Sequence, residues 1–495
     1  MRLKARNAKW LLLLTSLFSG IVLVSSWAVA SPPGGSPDEP VHFVTIYCTS
    51  ADYSSNCLDP KSSSLDLSPV KSISSCYLFQ RDRGVGCEKS NIFEKLSAGS
   101  SPELSKYAEN NYYRFLSFFT SDYYLLSLLS MRAINGSIFL FILFLSIYLL
   151  PAKHRQVFII STFVVAVPLG IYLISSINTS SWIIIGSIGM WVSLYSLLYE
   201  YSKKNVIFKL VLLRIFLFIL SGMLLISSRS DGLYFFMIIL FSISIIFLTK
   251  PIMKYFNTHL NPSLAKFIIF IFVLLSALLI FFQMRDRARV TFAENEFSVL
   301  DRLFENISRL PHLLLGPMGT WGLGWLDVWL TPITSITMIF IYLGLAFTAM
   351  RNLDFPHTLS VLILFISAIA LPMFILMLSG YRVGEWVQPG YLLPLYFPLL
   401  GVLLFSSVPK LLLNKLQMYL IVAGISIAHS AALFTNLERY LRGQNTYSYN
   451  LNFALEWWWD QLPSPNYLWI LGSLSFTILF FTLNELTKQE KLNIK

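Results

Sequence analysis

Charged side chains are scarce in this chain. Only 13% of its 495 residues are Asp, Glu, Lys or Arg, whereas 55% are hydrophobic and 15% aromatic. A soluble core of this size does not need so much apolar surface, so the composition indicates an integral membrane protein. The formal net charge of +11 comes from basic residues that lie singly or in pairs between apolar runs. Such placement is typical of cytoplasmic loops, and we expect no nucleic-acid partner.

Several short motifs of soluble enzymes are also missing. The chain has no GxxxxGK[ST], GxGxxG or HExxH element and no GxSxG element in a suitable context. Nucleotide-driven pumping by this chain is therefore unsupported.

Cysteine is confined to one hydrophilic segment and is absent from the apolar runs. An even number of cysteines in one exported loop predicts two disulfides with three alternative connectivities. A zinc site is the alternative, but there is no CxxC pair and His42 is the only nearby histidine, so we expect no metal site here. The disulfide candidates are Cys48, Cys57, Cys76 and Cys87.

Apolar runs long enough to cross a bilayer recur along the chain and predict about twelve spans in an all-α polytopic fold. The first runs from Trp10 to Ala30, behind four basic residues, and ends in Ala28-Val29-Ala30, which resembles a signal-peptidase site. It is either a cleaved signal peptide or, as its length favours, an uncleaved first helix. The others are about 133–150, 157–176, 182–199, 206–227, 234–249, 264–282, 333–350, 359–379, 391–408, 416–434 and 467–484.

The distribution of basic residues predicts which loops lie outside. Alternating sides along the twelve runs puts most lysines and arginines inside, so both termini are expected to be cytoplasmic in a bacterial inner membrane. The expected parts are the N-terminus and first helix (1–30), a large periplasmic loop (31–131), spans two to seven (132–282), a second external loop (283–332), spans eight to eleven (333–434), a third external loop (435–466), and the last span with its tail (467–495).

The stretch SPPGGSPDEPVHF at 31–43 is the strongest candidate for chemistry. Asp38, Glu39 and His42 follow prolines and glycines that prevent a helix and stiffen a loop at a membrane edge. A carboxylate base within reach of a hydroxyl is what sugar transfer to that hydroxyl requires. The alternative interpretation is a solvated acidic loop, since charged pairs are usually surface features.

Other polar residues sit at the external ends of the predicted spans. Arg132 and Arg229 are candidates to contact a phosphate, or else they close hairpins or snorkel to the interface. Trp321, Trp325 and Trp329 recur every four residues, which predicts one helical face that serves either as an interfacial belt or for sugar stacking. The further candidates for a substrate pocket are Asp231, Asp327, His429 and Tyr440.

Several segments in order resemble the bacterial membrane proteins catalogued as domain of unknown function 2142, a family placed among GT-C-type glycosyltransferases. They are PPGGSPDEPVHF, VPLGIYLISSINTSSW, SSRSDGLYF, GLGWLDVWLTP, WVQPGYLLPL and AHSAALFTNLERYLRG. The DE pair followed by His-Phe is also similar to the DExHF element of protein O-mannosyltransferases, where an acidic residue of the first external loop is the catalytic base.

This resemblance implies an inverting transfer from a polyprenyl-phosphate sugar to a cell-envelope glycan or glycolipid. Asp38 would be the base, with Glu39 as the alternative, and Arg229 and Arg439 would contact the donor phosphate. No cofactor is required, although a divalent cation beside the phosphate stays an alternative. The main rival is a transporter or flippase for a polysaccharide or lipid-linked sugar, which predicts broken helices at mid-membrane and internal repeats.

Overall fold

The computed structural model describes residues 2–50, 77–88, 110–203, 207–257, 299–385, 387–408, 413–445, 448–453, 455–459 and 461–492. Within these ranges the chain is helical and forms no strand, apart from one isolated antiparallel bridge between Leu323 and Val328. The predicted all-α class is therefore confirmed.

Fifteen α-helices make up the described part of the chain. They are α1 Arg2–Ala30, α2 Glu39–Thr49, α3 Asn111–Leu116, α4 Tyr124–Leu149, α5 Ala152–Val165, α6 Ile171–Ile174, α7 Thr179–Ser202, α8 Phe208–Ser228, α9 Gly232–Asn257, α10 Val299–Leu315, α11 Pro332–Met350, α12 Phe355–Ser379, α13 Leu393–Ser406, α14 Lys415–Arg442 and α15 Pro465–Leu492.

Eleven helical stretches in the described ranges are long and apolar enough to cross a membrane. They correspond to the predicted runs except 264–282, which lies outside the described residues. The polytopic membrane fold is thus confirmed, while the sides on which its loops lie stay a prediction.

Three stretches form the centre of the bundle. The most apolar window of Ala152–Ile174 is entirely buried, and the windows of Thr179–Ser202 and Pro389–Ser406 are 83% and 89% buried. The first of these is interrupted between α5 and α6 by the turn Ala166–Gly170, where Val167 has non-helical dihedral angles and Pro168 supplies no backbone N–H. The peripheral stretches, by contrast, leave one side of each helix uncovered, as expected for surfaces that face lipid.

Residues 31–38 lie at one end of the bundle, which we call the loop end. The ends of α1, α6, α8 and α14 meet there, together with the starts of α2 and α7 and the turn before α13. α1 packs along α15 and α4, and the indole of Trp27 is buried near its end. The first apolar run is therefore an integral member of this bundle.

The prediction that three tryptophans share one helical face was wrong. Residues 319–331 form a compact loop in which Gly319, Gly322, Gly324 and Leu326 all have positive φ, so no helix passes through them. The three indoles separate, and only that of Trp329 is largely exposed, at 59%. All three indoles of the run Trp457–Trp459 are buried, so they do not form an exposed interfacial belt.

The sequence Ser101-Pro102-Glu103-Leu104 resembles a helix start and predicts either a surface helix through Phe119 or a packed loop helix, which can be checked only in part. Residues 101–109 lie outside the described ranges, and the described portion is the six-residue α3 followed by the 3-10 turn Ser117–Phe119. Tyr112 and Tyr113 are buried, which favours the interpretation as a packed loop helix.

Candidate functional site

The loop at 31–38 is held through its backbone. Its carbonyl oxygens accept hydrogen bonds from side chains of several distant elements, because prolines and glycines leave these oxygens without helical partners. The donors are Tyr77 to Pro33 (2.8 Å), Trp325 to Gly34 (3.0 Å), Tyr172 and Tyr440 to Gly35 (3.0 and 2.6 Å), and Asn178 to Pro37 (2.8 Å). Many parts of the fold thus fix the position of the residue that follows, Asp38.

Glu39 has a buried carboxylate, whose hydrogen-bond partners all belong to the protein interior. Its carboxylate is 1% exposed and forms a forked ion pair with Arg132, with Nε–Oε1 at 2.9 Å, and it also accepts from the backbone N–H of Gly34 and Ile177. The other guanidinium hydrogens of Arg132 go to the carbonyl oxygens of Ala28, Ser31 and Pro32. All five N–H groups of Arg132 are used, so the hypothesis that it contacts a phosphate gains no support from this geometry.

Asp38, in contrast to Glu39, has an exposed carboxylate. It is the N-cap residue of α2 in the left-handed conformation, with φ 57°, and its side chain is exposed. Among the residues that the structure describes, no donor binds its carboxylate. Although solvent reaches the side chain, the surrounding protein desolvates the carboxyl and raises its pKa, and the charge of Arg229 offsets part of this rise.

Arg229 is the most accessible of the three predicted phosphate contacts. Its side chain is 23% exposed, against 1% for Arg132 and 0% for Arg439. It pairs with Asp231 at 2.8 Å, donates to Ser180 Oγ, and lies 4.2 Å from the ring centre of Tyr391. A guanidinium stacked and oriented in this way presents a fixed positive charge near Asp38.

His42 faces the same region. Its Nδ1 lies 2.9 Å from Tyr113 Oη. Burial, together with the charge of Arg229, lowers the pKa of His42 to about 3, so the imidazole is neutral at physiological pH. It is therefore suited to hydrogen bonding rather than to supplying a positive charge.

Arg439 and Asp327 form a second buried pair. The Arg439 guanidinium also donates to the carbonyl oxygens of Tyr77 and Arg83, which ties the segment 77–83 to α14. The other Asp327 oxygen accepts from the backbone N–H of Trp325. This pair therefore positions the indole that contacts Gly34, and it lies behind the loop rather than beside the Asp38 carboxylate.

His429 packs inside the bundle, two turns before Asn436 on α14. Its Nε2 accepts from the Trp27 indole at 2.9 Å and its ring stacks on Phe476 at 4.2 Å. Asn436 donates to the carbonyl oxygen of Ala30. His429 thus contributes to helix packing beneath the loop, in keeping with an interhelical hydrogen-bonding role.

The prediction of disulfide bonds is tested at one of the four cysteines. Cys48, at the end of α2, is disulfide-bonded. Cys57 and Cys76 lie outside the described residues, so the pairing with Cys87 and the others stays a prediction. No group of three or more His, Cys, Asp or Glu in the described ranges is arranged to hold a metal ion.

Sequence reasoning missed the aromatic and hydroxyl partners of the charged residues. Tyr113, Ser180 and Tyr391 contact His42 or Arg229 although they are remote in sequence. Tyr391 and Ser180 lie within the WVQPGYLLPL and VPLGIYLISSINTSSW segments that resemble the family, which is the one signal available for them. Tyr113 lies outside these segments, and a hydroxyl near a predicted span end is too common to single out.

A family model for predicted membrane proteins, DUF2142, matches residues 20–399. The chain belongs to this family. In this DUF2142 protein the matched range contains Asp38, Glu39, Arg132, Arg229 and Asp327, whereas the segment resembling the family at 428–443 lies beyond it. No curated protein and no solved structure matches the chain.

Proposed function

We propose that this chain is a membrane glycosyltransferase that moves a sugar from a polyprenyl-phosphate donor to a cell-envelope glycan or glycolipid at the external face. The observation that carries the proposal is the division between two adjacent carboxylates. The Glu39 carboxylate is held by its ion pair with Arg132. The Asp38 carboxylate is exposed, accepts no hydrogen bond within the described part of the chain, and is influenced by the positive charge of Arg229. A free carboxylate on a rigid loop beside a cation suits a general base paired with a phosphate-binding group.

The proposed reaction is a single inverting displacement. Asp38 takes the proton of the acceptor hydroxyl as its oxygen attacks the anomeric carbon, and the bond from that carbon to the phosphate oxygen breaks on the opposite face. The bonding electrons leave with the phosphate, whose added negative charge Arg229 stabilises. A phosphate leaving group needs no general acid, so one carboxylate is enough, unlike the two of a glycoside hydrolase.

The transporter alternative is favoured by one observation, the interruption of Ala152–Ile174 at Ala166–Gly170. Broken helices in a buried span are typical of transporters, where they surround a site at mid-membrane. Here the non-helical residue Val167 lies four residues past the midpoint of the span 152–174, toward the loop end. We therefore keep transport as the second candidate.

Deleting the gene and restoring the wild type separates the two candidates. Surface glycans and lipid-linked precursors would both be analysed by mass spectrometry. For a transferase, we expect one sugar to disappear from a surface polymer or glycolipid while its monosaccharide donor accumulates. Accumulation of an unexported, complete lipid-linked oligosaccharide would support transport instead, and unchanged glycans and precursors would contradict both.

The pH profile of transfer is expected to have an acidic limb that belongs to Asp38. The base must be ionised, and its raised pKa moves the loss of activity to a pH above the ordinary aspartate value of 3.8. His42, with a pKa of about 3, stays neutral throughout this range. We would measure kcat/KM against pH for the wild type and His42→Gln in nanodiscs. The His42→Gln variant should have a lower kcat/KM but an acidic limb with the same midpoint pH. If the acidic limb disappeared in this variant, it would belong to the imidazole instead.

Arg229→Lys is expected to lower kcat/KM for the donor by about 10- to 100-fold, since an ammonium cannot form the forked, stacked contact of a guanidinium with phosphate. Arg309→Lys is the matched control, because Arg309 is 44% exposed on α10 and pairs only with Glu305 in the described chain. Equal kinetics for both variants would remove Arg229 from the phosphate site.

A further inference from the structure

The helix α10, Val299–Leu315, has three different faces. Leu300, Phe304 and Ile307 follow one another at helical spacing and are 65%, 69% and 49% exposed. At 100° per residue they form one apolar stripe. The exposed polar side chains of Asp301 and Arg309 lie away from this stripe, and that of Arg309 is on nearly the opposite side of the helix.

The third face fastens α10 to the rest of the fold. Asn306 is fully buried, and its amide donates to the carbonyl oxygen of Tyr381 and accepts from the N–H of Val383. Leu313 is also buried, and Glu305 pairs with Arg382 at 3.0 Å. The helix is therefore held side-on, with its apolar stripe and its polar face both uncovered.

The helix lies beside membrane-spanning elements. It packs against α12 and the turn before α13, and the Tyr396 hydroxyl donates to the carbonyl oxygen of Leu314. The neighbouring α12 exposes Phe365 and Ile366, at 45% and 56%, as expected for a lipid-facing surface. Because α10 is hydrogen-bonded to residues 381 and 383, just past the end of α12, it lies where this membrane span ends.

The helix does not cross the membrane itself. Asp301, Arg302, Glu305 and Arg309 fall within nine consecutive residues, whereas a span needs about 20 predominantly apolar ones. A helix with an apolar face, a polar face and moderate length is instead typical of one that lies along a membrane surface.

We propose that α10 lies in the membrane surface at the loop end, with Leu300, Phe304 and Ile307 inserted among the lipids and its polar face toward water. We favour a lipid surface over a protein partner, because α10 is held beside the end of a membrane span whose exposed side chains already face the bilayer. This inference concerns a lipid-binding surface and does not depend on the proposed sugar transfer.

The test uses the full chain in nanodiscs of phosphatidylethanolamine and phosphatidylglycerol. Phe304→Cys and Ile307→Cys would be labelled with the environment-sensitive fluorophore NBD, with Arg309→Cys as the matched control on the polar face. The unsubstituted chain measures any labelling of native cysteines. Nitroxide groups on the lipid chains, at shallow or deep positions, and iodide in the buffer serve as quenchers.

We expect NBD at 304 and 307 to be blue-shifted and quenched several-fold more by shallow lipid nitroxides than NBD at 309, which iodide should quench instead. Equal quenching at all three positions would overturn the proposal. So would stronger quenching by the deep nitroxide, which would place the stripe in the bilayer core. Protection of 304 and 307 from both lipid and iodide would show that protein covers the stripe, and would also overturn it.

Discussion

Replacing Asp38 with asparagine is expected to lower the rate of sugar transfer by about 10²- to 10⁴-fold, the usual contribution of a general base. The change removes the proton acceptor with almost no change in shape. Asparagine also tolerates the left-handed backbone found here, where φ is 57°. The loss should therefore appear in the chemistry and not in the amount of folded protein.

The stability of this variant supplies the internal check. The pKa of Asp38 is raised in the folded chain, which means that the folded state favours the protonated carboxyl. Near neutral pH the Asp38 carboxyl is ionised, and this ionisation lowers the stability of the folded state. Asparagine removes that penalty, so the melting temperature at pH 7 should be equal to or above that of the wild type. Turnover would be measured in nanodiscs with the donor that the glycan analysis identifies, with Asp301→Asn as a control at another exposed aspartate. Normal turnover by Asp38→Asn would exclude it as the base.

Glu39→Gln is expected to act on folding instead. The neutral amide of this variant would leave the Arg132 guanidinium charged, buried and without its carboxylate, and breaking a buried pair from one side costs about 3–5 kcal/mol. We expect a markedly lower melting temperature in detergent and less protein in the membrane. Activity per folded molecule should fall less than in Asp38→Asn.

A double-mutant cycle with Arg132→Gln tests whether the two residues act as a pair. Since Arg132 also holds three carbonyl oxygens, the double variant should recover only part of the lost stability. Additive losses would show that the pair is not coupled. If Glu39→Gln kept wild-type stability while abolishing turnover, the roles assigned to Asp38 and Glu39 would have to be exchanged.

The sequence predicts the membrane class and the location of the candidate site, because hydropathy and the clustering of prolines, glycines and carboxylates are local properties. It does not separate Asp38 from Glu39. That distinction depends on Arg132, which lies 93 positions from Glu39 and reaches it only through the packing of α4 beside α1. Sequence spacing carries no information about such a contact.

One error and one omission have local causes. The period of four among Trp321, Trp325 and Trp329 suggests a helix, but Gly319, Gly322 and Gly324 adopt positive φ and make a loop. The amphipathic α10 lies inside the predicted second external loop and is not recognised as a helix there, because its charged residues interrupt the apolar runs by which spans are identified. In the first case the tryptophan spacing is more conspicuous than the glycines that make the loop. In the second case the long apolar runs are more conspicuous than the helical spacing of the apolar residues in α10.

The hydrogen bonds that fix residues 31–38 bear on how this region tolerates mutation. The acceptors are main-chain carbonyl oxygens, which every amino acid possesses, whereas the donors are specific side chains such as Tyr77, Asn178, Trp325 and Tyr440. Random mutagenesis should therefore find more acceptable replacements at Ser36 and Pro37 than at these remote donors. The side chains that determine the conformation of residues 31–38 therefore lie mainly outside this loop.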